Sequence, residues 1–160
     1  MTTLFANPYD INFTGFYFSS TEEFESKMAK APFEEVEIDY IEGDNPLLFN
    51  AFGIFQCNVD TWFDELDQFS DTDNEAISIR HLMDYYTTEE AIERHDEVIL
   101  HRGNIADYAA ELVEEMYPTD KLPDIIKYHI DYSSIARDME INGEVTEIDH
   151  DTWVLNCLDF

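Results

Sequence analysis

The chain has 160 residues, with 8 Lys and Arg against 37 Asp and Glu, a formal net charge of -29. Residues 1–80 hold 17 acids and 3 bases and residues 81–160 hold 20 and 5, so the charge covers the whole molecule and excludes direct nucleic-acid binding. Hydrophobic residues at 44% and aromatics at 14% are enough for a core, which excludes an acidic disordered chain.

In chain order, Leu4–Ala6 and Gly15–Ser19 read as short strands on either side of a turn-prone segment. Ser20 and Glu23 have capping-box spacing, which predicts a helix from there to about Ala31, stopped by Pro32. Over Glu34–Ile41, Val36, Ile38 and Tyr40 alternate with Glu35, Glu37 and Asp39. This predicts an amphipathic strand with a row of carboxylates roughly 6.6 Å apart. Leu47–Phe55 is apolar, and its state stays open.

From Val59, the residues Trp62, Phe63, Leu66 and Phe69 follow the helical period, and Asp60, Asp64, Asp67 and Asp71 fall on another face. The expectation is one acidic stripe about four turns long. A second helix is predicted over Asn74–Tyr85. A third begins at Thr87, whose capping-box partner is Glu90, and carries the acids Glu89 and Glu93. Val98–Leu100 reads as a short strand.

Asn104 is a candidate N-cap for a helix that buries Ile105, Tyr108, Ala109, Leu112, Val113 and Met116 and exposes Asp107, Glu111, Glu114 and Glu115. Short helices are expected at Leu122–His129 and at Asp131–Asn142, with Gly143 as C-cap. A hairpin over Glu144–Ile148 and Thr152–Leu158 ends the chain. The pattern as a whole is α+β: an antiparallel sheet with a helix, a helical middle, and a mixed helix and hairpin part.

The chemistry-bearing motifs are missing. Asp71–Glu75 begins like a calcium loop, but Ala76 and Leu82 stand where that loop needs Gly and Glu. The five histidines show no zinc spacing, no glycine-rich phosphate loop is present, and no nucleophile signature surrounds either cysteine. The expectation is therefore no catalytic residue, no metal and no cofactor, so not an enzyme. The stretch Asn45–Val59 is the longest free of charge, too short for a membrane helix, and no base precedes Lys27 as in a signal peptide. Cys57 and Cys157 read as reduced thiols, so the expected location is cytoplasmic.

Solvated helix faces usually mix Lys with Glu, because like charges four residues apart each destabilise by roughly 0.2–0.5 kcal/mol. Between Lys30 and Arg80 there is no base, while thirteen acids lie from Glu34 to Glu75. Duplex DNA carries one charge per roughly 1.7 Å, so 29 charges match about 49 Å of duplex. A compact chain of this length is about 40 Å across, so the two linear densities are comparable. Side chains that grip phosphate also grip carboxylate. The inference is a protein that imitates B-form DNA. Its candidate acids are Glu35, Glu37, Asp39, Asp60, Asp64, Asp67, Asp71, Glu89, Glu93, Asp107, Glu111, Glu114 and Glu115.

The stretch Ile130–Gly143, IDYSSIARDMEING, resembles the antirestriction motif of the ArdA family, with Asp131, Tyr132, Arg137, Asp138 and Gly143 fitting it. Weaker likeness runs through the LFAN start, the GFYF strand and the EVILH segment. The resemblance implies an elongated protein of three small subdomains, placed here at 1–57, 58–101 and 102–160, that forms a homodimer through the last, near the motif. It also implies a cytoplasmic role in a bacterial host. There the protein would block the DNA-binding groove of type I restriction-modification enzymes, formed by their specificity and methyltransferase subunits, and protect mobile or phage DNA. The alternative is an acidic inhibitor or adaptor of another basic DNA-binding protein, such as a nucleoid or other defence protein.

Overall fold

The alternation that predicts the first sheet also decides which side of it is dry. In the computed structural model, which describes residues 1–160, strand β1 (Thr3–Pro8) lies between β2 (Phe16–Phe18) and β3 (Val36–Glu42), antiparallel to both. Leu4, Ala6, Phe18, Val36 and Ile38 all turn inward and are buried. Helix α1 (Thr21–Met28) is capped by Ser20, which accepts from the Glu23 amide, while Glu23 accepts from Ser19 at 2.9 Å. It ends at Met28, three residues before the expected end at Ala31. The stretch left open becomes helix α2 (Pro46–Phe52), with Pro at its start and Gly53 at φ 63 behind it.

Next comes α3, which begins as an α-helix at Val59–Thr61 and continues as a π-turn over Trp62–Leu66. The Asp67 amide donates to the Trp62 carbonyl, five residues back, at 2.8 Å. Trp62 is fully buried, with the ring of Phe49 edge-on at 5.2 Å and that of Phe52 stacked at 6.2 Å. Burying such a ring is worth about 1.5–3 kcal/mol, which anchors this short helix where its own length could not. Helices α4 (Asn74–Leu82) and α5 (Thr88–Arg94) follow. Thr87 and Glu90 form the predicted capping box.

The chain divides into two compact units, Met1–His95 and Asp96–Phe160. In the first, hydrogen bonds cross the expected 57/58 junction: Thr2 donates to Asp67, and Leu47 and Leu48 donate to Asp71.

The second unit has its own three-stranded antiparallel sheet, in which β6 (Thr152–Val154) lies between β4 (Leu100–Arg102) and β5 (Thr146–Asp149). The expected strand at Val98–Leu100 is thus shifted two residues along, and β6 ends at Val154, short of Leu158. Helix α6 (Ile105–Met116), capped by the Asn104 side chain at 2.9 Å, packs against the later helix α8 (Tyr132–Ile141). The expected helix near Leu122–His129 is the single turn α7 (Asp124–Lys127). Ala109, Ala136, Met139, Val145 and Trp153 form the core, with Ile105, Tyr108 and Leu112 half-buried around it. Met116, expected inside, is 59% exposed, because α6 extends past this small core.

Mixed helices and two small antiparallel sheets make the protein α+β. No helix is long and apolar enough to cross a membrane.

Candidate functional site

The clearest concentration of charge lies in the first unit. Helices α3 and α5 form the walls of an open groove lined by Asp60, Asp64 and Glu65 on one side and Glu89 and Glu93 on the other, with Thr61 and Ile92 between them. All five acids are exposed, and no base lines the groove. Local sequence explains the arrangement. Val59, Trp62 and Leu66 turn α3 into the core, which leaves Asp60 and Asp64 outward, one turn apart. On α5, Ala91 is buried and Glu90 is occupied in the capping box, so Glu89 and Glu93 remain for the groove. Glu65 is not among the acids singled out from the sequence, yet it lies four residues after Thr61, beside the Asp60–Asp64 pair, where the helical period itself could have found it.

The π-turn at Trp62–Leu66 separates Asp67 and Asp71 from that pair. The four-turn acidic helix does not form, because helical structure stops at Leu66. Asp67 instead accepts hydrogen bonds from the backbone and hydroxyl of Thr2, which is 1% exposed. Asp71 accepts from the amides of Leu47 at 2.7 Å and Leu48 at 2.9 Å, at the start of α2, and lies 3.8 Å from an Arg80 nitrogen. Both carboxylates hold the first unit together. They belong to a polar seam in which Asn45 accepts from Thr2 and Tyr40 and donates to the Phe69 carbonyl at 3.0 Å. Burial there holds the Tyr40 hydroxyl above its ordinary pKa, with the Asn45 amide opposing.

On β3, Glu37 is exposed and Asp39 half-buried, both on the face opposite Val36 and Ile38, while exposed Glu35 stands just ahead of the strand. Asp39 is paired in register with Phe5, whose ring meets that of Tyr17 at 4.8 Å. At Asp39 the carboxylate row therefore borders aromatic rings, whereas Glu37 is paired with Asn7.

In the second unit, Asp107, Glu111, Glu114 and Glu115 are all exposed along α6, as expected. Asp131 caps α8: its carboxylate accepts from the Ser134 amide at 3.0 Å and the Ser134 hydroxyl at 2.8 Å, which holds its pKa below the ordinary value. Tyr132 is half-buried, and Arg137 and Asp138 are exposed on α8. Gly143 has φ 74, a conformation that favours glycine. It donates to Glu140, and Glu144 donates to Met139 at 2.9 Å, so the helix ends in a Schellman motif. The five motif residues thus include both ends of one helix.

One trio of side chains could bring ligand atoms together for a metal ion: Glu147 on β5 with His150 and Asp151 on the β5–β6 turn, all exposed. There, Asp151 already lies 3.1 Å from His150 Nδ1. Chemically, the acid-lined groove and rows can accept charge-assisted hydrogen bonds from guanidinium and ammonium groups. Residues 12–153 match the family model described as antirestriction protein (ArdA). No curated protein matches the chain.

Proposed function

The chain belongs to the ArdA family of antirestriction proteins, and from that premise we propose that it acts by imitating duplex DNA and competing for the basic groove of a type I restriction-modification enzyme. The observation that carries the reading is the groove between α3 and α5, where two helices present five carboxylates with no base among them. An acid pair one turn apart on each wall repeats the like-charge contacts that helices ordinarily avoid. The exposed acids of β3 and α6 extend the same chemistry, so binding is distributed and no single acid is essential. Homodimer formation through the second unit and protection of mobile or phage DNA in a bacterial host belong to the same reading.

The test is cleavage of unmodified plasmid by a purified type I enzyme with this protein titrated in, beside a DNA-binding competition. Inhibition near stoichiometric amounts with displacement of DNA is the expected result. Replacing Asp60, Asp64, Glu89 and Glu93 together by Asn and Gln weakens it, and any one replacement changes it little. Absence of inhibition at large excess sinks the reading and redirects the search to other basic DNA-binding proteins. Added salt raises the melting temperature by screening self-repulsion and weakens the complex, two opposite responses of one charge.

A further inference from the structure

The acid-lined groove is matched in the first unit by a second depression of different chemistry. Tyr9 and Phe13, from the β1–β2 loop, and Phe33, just ahead of β3, line it, with Asp10, Glu34 and Glu35 at its rim. Tyr9 is 66% and Phe13 38% exposed, and the rings of Phe13 and Phe33 lie 5.8 Å apart at 45°. The loop is held in shape: Asp10 accepts from the Asn12 amide at 3.0 Å and side chain at 2.7 Å, and Phe13 donates to the Asp10 carbonyl. At the loop's exit only glycine fits, since a Cβ on Gly15 would collide with the Ala6 carbonyl oxygen and the Phe5 ring.

We propose that this aromatic groove is a guanidinium site, which docks an arginine-bearing segment of the protein partner. An apolar partner alone would desolvate three rim carboxylates without pairing them. The acids also repel a nucleic acid. A lysine ammonium is compact and strongly hydrated, whereas a guanidinium lays its flat face on a ring and directs its edge N–H groups at carboxylates. The groove offers both partners at once. The molecule already uses the stacking half of this arrangement, with the Arg94 guanidinium 4.4 Å from the centre of the Tyr86 ring. The inference deepens the proposed function and rests on it for the partner's identity: a close-range contact that salt screens less would add to the more strongly screened attraction of the carboxylate rows.

The experiment uses the full chain, labelled with nitrogen-15 and titrated with hexa-arginine and, separately, hexa-lysine at about 0.5 M salt, where exposed charges are screened beyond a few ångströms. The expected result is saturable shifts of the amides of Tyr9–Phe13 and Phe33–Glu35, with hexa-lysine binding weaker by about threefold or more. Tyr9→Leu, on an exposed side chain whose loss leaves the fold intact, removes that preference. Equal shifts from the two peptides, shifts spread over α6 as strongly as the groove, or no saturable shift at all overturn the inference. A parallel restriction assay separates the two ideas. If the unaltered protein inhibits but shows no arginine preference at the groove, only the guanidinium site falls. If it fails to inhibit, the antirestriction mechanism falls and the peptide titration still decides the groove.

Discussion

Two acid-rich segments, Val59–Asp71 and Ile105–Met116, show the same sequence pattern of apolar residues at helical spacing with acids on another face, yet their acids meet different fates. Helix α6 is regular over twelve residues, so all four of its stripe acids stay in solvent. In the first segment the π-turn at Trp62–Leu66 and the early helix end carry Asp67 and Asp71 into contact with Thr2 and α2. A carboxylate row is thus free for a partner only where nothing distant in sequence reaches it.

The largest way to break this contrast is Trp62→Ala, which removes the ring that fixes the widened turn. A loss of about 3–5 kcal/mol in denaturant unfolding is expected, against a smaller loss for Leu112→Ala in α6, whose side chain is half-buried. Next is Asp71→Ala. It strands the Leu47 and Leu48 amides and lowers stability by about 1–3 kcal/mol, while inhibition per folded molecule stays unchanged. An Asp71→Ala protein that is fully stable but fails to inhibit would place Asp71 among the binding acids instead.

A smaller effect lies outside both segments and depends on pH. Burial on α4 holds the His81 imidazole below its ordinary pKa, with Asp84 opposing. The unfolded chain therefore takes up the proton first, and the stability is present above the unfolded value of about 6.5 and lost as pH falls from there toward the lower folded value. Unfolding curves between about pH 7 and 5 show that slope, and His81→Gln reduces it. The smallest effect is Glu111→Gln on α6. Relieving repulsion from Asp107, Glu114 and Glu115 raises stability by about 0.2–0.5 kcal/mol for each pair relieved, visible as a slight rise in melting temperature that salt diminishes.

Much of the local structure was legible because its causes are local. Ser20, Thr87, Asn104 and Asp131 each cap the helix that follows, since a cap needs only a side-chain oxygen two or three residues before its amide. The β3 alternation follows from the two-residue period of a strand, and the Gly143 helix end from the one residue suited to its φ. The acids of α6 and the Asp60, Asp64, Glu89 and Glu93 set were legible as exposed, but nothing in the spacing of α3 and α5 announced that the two pairs share a groove.

Charge, by contrast, is a sum over residues, so the sequence by itself determined the -29, its even spread and the absence of a base from Glu34 to Glu75. Only the tertiary structure decided which carboxylates remain available. Asp67 and Asp71 meet donors 65 and 24 residues away, and the acids of α3 and α5 share one groove. Hydrogen-bond partners brought together by folding, and the phase of a helix locked by a buried tryptophan, are properties of packing that residue spacing along the chain does not contain.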